Sequence, residues 1–211
     1  MRNDYSYDDH DYQYTDPKTG ILRNLQNITD RDMLNLIESG ASTKRANELL
    51  ENPIKIENTK AIFEIHHCLF QDIYEWAGIP RTVEISKKGR QFYPSADFHK
   101  GFAHIDSLVK DYLKTDNNDI SNLSKILAII LDSLNYLHPF REGNGRAQRE
   151  FIRLLALEKG YLINLNPPDN PDIYERYMTG TIDGDIEKLK ALIFELMEKS
   201  GNNEELPKDR E

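Results

Sequence analysis

The stretch NLSKILAIILDSLNYLHPFREGNGRAQR, residues 122–149, bears on both the fold and the chemistry. Its first half is apolar at Leu123, Ile126, Leu127, Ile129, Ile130, Leu134 and Leu137, which leaves almost no polar face. A helix apolar nearly all round is a central, buried one. Pro139 disfavours the α conformation at the residue before it, so this helix is predicted to stop at His138. There the negative end of the helix dipole favours an imidazolium. Gly143-Asn144-Gly145 follows, and its glycines tolerate positive φ and let a ligand approach the backbone. The next helix starts at once, and successive N–H groups at such a start form an anion cradle. Arg146 and Arg149, three apart, share a helical face and can clamp anionic oxygens. Singly, each member has a commoner explanation. A His beside Pro usually caps a helix, Glu142 could be a solvated acid, Gly-Asn-Gly a plain turn, and the arginines surface charges. Phe140 reads as a core anchor. A base, an acid, an anion nest and two arginines within twelve residues fit phosphoryl or nucleotidyl transfer far better than chance.

Outward from this stretch the period stays helical. Thr29 can cap a short helix carrying Met33, Leu36 and Ile37, which Gly40 would end. Ile62, Ile65, Leu69, Phe70, Ile73 and Trp76 recur every three or four residues up to Gly78 and Pro80. Phe102, Ile105, Leu108, Val109 and Tyr112 mark another helix. Phe151, Ile152, Leu154 and Leu155 mark one that Gly160 can close, and Ile186, Leu189, Leu192, Ile193 and Leu196 a last one. Only Arg81 to Ser86 alternates as a strand, with a turn at Lys87 to Arg90 and a return at Gln91 to Tyr93. The expected fold is all-α, a helical bundle with one short exposed β-hairpin.

The chain has 211 residues, 38% hydrophobic and 30% charged, a globular composition with room for one substantial core. Its net charge is −9 and its pI about 5.2, which argues against general binding to nucleic-acid phosphates. The acidity sits at the ends: −4 over residues 1–16 and −3 over 195–211. The segment from Arg81 to Arg90 carries +3 and that from His138 to Arg149 carries +2, so an anionic nucleotide could meet a locally basic cleft. The expected organisation is an acidic, Tyr-rich N-terminal arm over 1–16, extended and docked through its rings or else disordered, one domain over 17–199, and a frayed tail over 200–211. Cys68 is the lone cysteine, which suits a reducing cytosol. The sequence lacks the roughly 20 consecutive apolar residues of a membrane span. Met1 to Tyr5 does not resemble a secretory signal. A cytoplasmic location is expected, with export as an effector left open.

His138 to Arg149 matches the signature His-x-Phe-x-(Asp/Glu)-Gly-Asn-Gly-Arg-x-x-Arg, and on it the chain resembles the Fic (filamentation) domain family of protein adenylyltransferases. Trp76-Ala77-Gly78 followed by Arg81 is similar to the family's stretch before its hairpin. Tyr12 to Leu25 resembles its N-terminal arm. The resemblance covers about residues 12 to 195. It implies transfer of AMP from ATP to a Ser, Thr or Tyr hydroxyl of a target protein, with release of pyrophosphate. By similarity His138 is the general base, Glu142 holds Mg²⁺, and Gly143, Asn144, Gly145, Arg146 and Arg149 bind the ATP phosphates. Val83, Glu84, Ile85, Ser86, Lys87, Lys88, Gly89 and Arg90 would form the flap that docks a target segment by strand addition. The intact Gly-Asn-Gly-Arg core favours AMP transfer over the phosphate transfer of the Doc branch. The alternatives are a silent ATP-binding interaction module and a relative that removes AMP or moves another phosphate-containing group.

Many family members carry an inhibitory helix with (Ser/Thr)-x-x-x-Glu-(Gly/Asn), whose Glu pairs with the second motif arginine. Ser200 to Glu204 meets only part of that pattern, and Asn47 to Asn52 has Asn where Ser or Thr should stand. The resemblance therefore implies a separate, antitoxin-like inhibitory protein acting on Arg149. Similarity to toxin-like bacterial members suggests DNA gyrase or topoisomerase IV as target, whereas secreted members act on host GTPases. Neither membrane binding nor direct nucleic-acid binding is expected. The adenine pocket is placed loosely near Tyr174 to Thr179.

Overall fold

The computed structural model describes residues 5–7, 12–87 and 89–201, with side chains over 12–87 and 89–198. In chain order the elements are β1 (Tyr5–Tyr7), α1 (Arg31–Glu51), α2 (Lys60–Phe70), β2 (Ile85–Lys87) and β3 (Arg90–Gln91). These are followed by α3 (Phe98–Lys114), α4 (Ile120–Leu137), α5 (Asn144–Glu158), α6 (Pro171–Asp183) and α7 (Ile186–Gly201).

Helix α4 is the axis, packed against α3, α5 and α7. Leu123, Leu127, Ile130, Leu131 and Leu134 are fully buried along it, as its all-round apolar character predicts. Asp119 starts it by accepting the Asn122 N–H at 3.1 Å. Helices α1 and α2 pack together, and α2 also packs on α5. The stretch from His138 to Arg149 thus begins at the end of a central, buried helix, so its backbone is fixed by the core.

Helix α1 corrects the sequence reading. Its cap is Asp30, which accepts the Met33 N–H at 2.8 Å, and the helix runs through Gly40 for 21 residues. One internal glycine costs about 1 kcal/mol, less than burial of Leu34 and Leu49 returns. Met33 and Leu36 face solvent, and the inner face is Leu34, Glu38, Ser42 and Leu49. Helix α2 ends at Phe70 rather than near Gly78. The amides of Ile73 and Tyr74 both bond the Phe70 carbonyl, and the chain turns to stack Trp76 on Tyr74 at 4.3 Å. Helix α6 was not foreseen, although its signals are present. Pro171 stands in its first turn, Gly184 closes it at φ +66, and the buried Ile173, Tyr177 and Thr181 are spaced by four.

The strand predicted from Arg81 begins only at Ile85, because Arg81 is spent as a buried staple described below. The predicted lone hairpin is part of a three-stranded sheet in the order β1-β2-β3. The N-terminal arm supplies the third strand, antiparallel to β2, with Tyr5 opposite Lys87, Ser6 opposite Ser86 and Tyr7 opposite Ile85. Further along the arm Tyr14 is buried, edge-on to Trp76 at 5.6 Å. Its hydroxyl accepts the Thr82 N–H at 3.2 Å. Lys88, Glu204 and the tail from residue 202 lie outside the described residues. Among the described residues no helix is long and apolar enough to cross a membrane.

Candidate active site

His138 closes α4 in the left-handed region, φ 46 and ψ 60. Pro139 disfavours the right-handed alternative. Its Nδ1 lies 3.2 Å from the Asn135 carbonyl oxygen. A carbonyl only accepts, so Nδ1 carries the proton and the lone pair is on Nε2. The ring stacks on Phe92 at 3.9 Å. Burial, helped by the charges of Arg81 and Lys87, pushes the imidazole down to about 3. The imidazolium expected from the helix dipole is therefore overruled by desolvation, and the site holds a neutral base.

The turn that follows is built around a buried group that sequence reading did not single out. His66, fully buried on α2, donates from Nε2 to the Glu142 carbonyl at 2.9 Å. Its Nδ1 accepts the Gly78 N–H at 2.8 Å, and its ring stacks on Phe140 at 3.8 Å. Burial holds this ring, too, down to about 3. The imidazole thus ties the Trp-Ala-Gly segment to the motif turn. Gly143 caps α5 at φ +81, and a Cβ there would lie 2.4 Å from the Phe70 ring. The side chain of Asn144 faces back, accepting the Phe140 N–H at 2.9 Å and donating to the Phe140 carbonyl at 2.7 Å. Any contact of Asn144 with a phosphate would therefore come from its backbone N–H. Gly145 has no bulk between its Cα and the Arg149 side chain.

Arg146 and Arg149 leave α5 toward different neighbours. Arg146 stacks on Phe70 at 4.6 Å, donates to Ser42 Oγ at 3.1 Å and pairs with Glu38. The second Glu38 oxygen accepts the Tyr74 hydroxyl, whose ionisation burial and this carboxylate both oppose. Arg149 lies 5.4 Å from the ring centres of both Tyr174 and Tyr177 on α6. It has no ion pair among the described residues. Glu38 is invisible as a site residue until the inner face of α1 is known. It then stands out as a carboxylate between Leu34 and Ser42.

Glu142 is half-buried, and one of its oxygens accepts the Gly143 N–H at 3.0 Å. No cluster of three metal-ligating side chains occurs among the described residues. Mg²⁺ keeps several waters and needs only one or two carboxylates beside substrate phosphates, so a single carboxylate next to an anion turn fits it.

Arg81 joins the flap to this turn. Only 2% exposed, it donates from Nε to the His138 carbonyl at 2.9 Å. Its two terminal nitrogens donate to the Val83 and Tyr93 carbonyls, both at 2.6 Å. Glu84 lies 3.3 Å from the same guanidinium and accepts the Ser95 N–H and hydroxyl. The basic hairpin and the basic motif are thus adjacent.

Two buried imidazoles make stability acid-sensitive. Their folded-state values lie below that of the unfolded chain, so between about pH 3 and 6.5 the unfolded state binds more protons. Stability then rises with pH across this window and is lost on acidification. Each ring contributes a slope of up to about 1.4 kcal/mol per pH unit. Urea titrations at pH 7, 6 and 5 check this, and equal stability at all three would contradict it.

A glycine turn at a helix start, a neutral histidine and a hairpin stapled beside it fit a nucleotide-dependent transferase. Residues 56–156 match the Fic/DOC family model. "Probable protein adenylyltransferase y4lH" from Sinorhizobium fredii is 31% identical over 183 residues, 84% of this chain and 91% of that protein. "Protein adenylyltransferase VbhT" from Bartonella schoenbuchensis is 37% identical over 155 residues. The match spans 72% of this chain but only 32% of VbhT, about a third of its length. Among solved structures, the N-terminal Fic domain of Bep8 from Bartonella sp. 1-1C superposes with a TM-score of 0.77 at 22% identity, covering 88% of this chain and 94% of that one. BepC from Bartonella tribocorum, solved with AMPPNP, gives 0.74 at 22% identity, covering 88% and 96%. These two show the fold. The chain belongs to the Fic/DOC family. Its activity is protein adenylylation, the transfer of AMP from ATP to a protein.

Proposed function

We propose that His138 Nε2 takes the proton of a Ser, Thr or Tyr hydroxyl as that oxygen bonds to the α-phosphorus of ATP. The bond to the β-phosphate oxygen breaks, and pyrophosphate leaves with the electron pair. The observation that carries this reading is the fixed Nδ1–H of His138 beside the Gly143–Gly145 helix start, which sets a base next to an anion cradle. Backbone N–H groups of Gly143, Asn144 and Gly145 would receive the phosphates. Arg149 would bind the β- and γ-phosphates, drawing the leaving group into line. Arg146 would contribute positive potential while Glu38 and Ser42 hold it. Glu142 would hold Mg²⁺, which neutralises phosphate charge when bound. The flap from Val83 to Arg90 would hold the target segment through backbone pairing, largely independent of the target's side chains.

Labelling ATP separately at the α and γ positions tests the reaction. Target proteins in bacterial lysate are expected to keep the α label alone, and retention of γ label would make the chain kinase-like. The target would offer an accessible extended segment to the flap, and the bacterial type II topoisomerases are the first to assay. A separate inhibitory protein would set a carboxylate against Arg149, a reading supported by the lack of an acidic partner there among the described residues. Activation of the isolated chain by Glu204→Gly would instead place the inhibitor in the tail.

A further inference from the structure

The arm and the flap are joined in a way the activity does not require. β1 covers the edge of β2 that faces away from β3. The Ile85 carbonyl accepts the Phe92 N–H at 3.0 Å, so Ile85 turns its backbone groups toward β3. Along a strand these groups alternate sides. Ser86 therefore presents its N–H and C=O to β1, opposite Ser6. An exposed edge of this kind is a template for any extended chain. Here the template is already taken.

We propose that Tyr5–Tyr7 is a resident competitor, occupying the flap edge that a target segment must pair with, so that target docking requires the arm to leave. The proposal rests on the flap reading above. Three features of the sheet support it. The arm pairs through backbone, the same currency a target would use. It is three residues long, and so short a strand is marginal and displaceable. The chain from residue 1 to 16 carries −4 and the flap from Arg81 to Arg90 carries +3, so attraction adds to the pairing and salt weakens it. The arm is joined to a fixed point, since Tyr14 is buried against Trp76 and Thr82. Release of β1 would therefore leave the chain anchored at Tyr14. That tether keeps the competitor at high local concentration.

The test compares the full chain with Ser6→Pro, which removes the N–H opposite Ser86, and with Ser6→Ala, which keeps it. Hydrogen exchange of the Ser86 amide should quicken about five- to tenfold in Ser6→Pro, the worth of one backbone hydrogen bond. It should stay unchanged in Ser6→Ala. A synthetic peptide of residues 1–11 added to Ser6→Pro should restore protection at low salt and less at high salt. Transfer of α label from ATP to lysate proteins should rise several-fold in Ser6→Pro alone, with the KM for ATP unchanged. Equal Ser86 exchange in all three chains overturns the proposal, and so does a freed edge with no gain in labelling. If no chain transfers α label at all, adenylyl transfer itself is the reading that fails, and the competitor role falls with it. The exchange data would still report separately whether the arm covers the edge.

Discussion

His138→Ala lowers the rate of AMP transfer by roughly 10²–10⁴, the usual contribution of a positioned general base. The KM for ATP should change little, because in the proposed mechanism the imidazole meets the incoming hydroxyl while residues 143–149 receive the phosphates. Alanine removes the ring that stacks on Phe92 but leaves the backbone carbonyl that Arg81 binds, so the flap stays attached. Initial rates with α-labelled ATP at saturating and limiting concentrations separate the two parameters. A large rise in KM with unchanged kcat would make His138 a binding residue and contradict its assignment as base.

The second large effect is structural. Arg81→Ala should destabilise the chain by about 3–5 kcal/mol, because it strands three carbonyls, two of them buried and one part-buried. The carbonyls of Val83, Tyr93 and His138 lose their donors together. The Phe98 ring, 4.9 Å from the guanidinium carbon, loses its cation. For a domain of this size such a loss lowers Tm by about 6–20 °C. Arg81→Lys should recover only part of it, since an ammonium cannot reproduce the planar fork that reaches three carbonyls in separate directions. Thermal melts of both variants check this, and an Arg81→Ala chain that melts within a degree or two of wild type would contradict the staple.

Much of the candidate site was legible in sequence because it is local. His138, Glu142, Gly143, Gly145 and the two arginines lie within twelve residues, and Pro139 and Gly143 fix the backbone through steric rules that act over one or two bonds. The partners that tune these residues were not legible, because they come from elsewhere in the chain. Glu38 and Ser42 reach Arg146 across more than 100 residues. His66 reaches Glu142 across 76. A lone histidine on an apolar face carries no mark of what it will bond. Helix α6 was missed for a different reason: its burial spacing is present but sparse, and its end signals had to be read together.

The sequence by itself determined the buried axis of the fold, the end of α4 at His138 and the glycine turn that starts α5. Apolar periodicity, proline sterics and glycine freedom act on neighbouring residues and need no partner to be read. Only the tertiary structure decided the charge state of His138, the separate destinations of Arg146 and Arg149, and the pairing of the N-terminal arm with the flap. Those depend on desolvation and on which distant groups arrive within bonding distance. Both are fixed only once the core has closed around them.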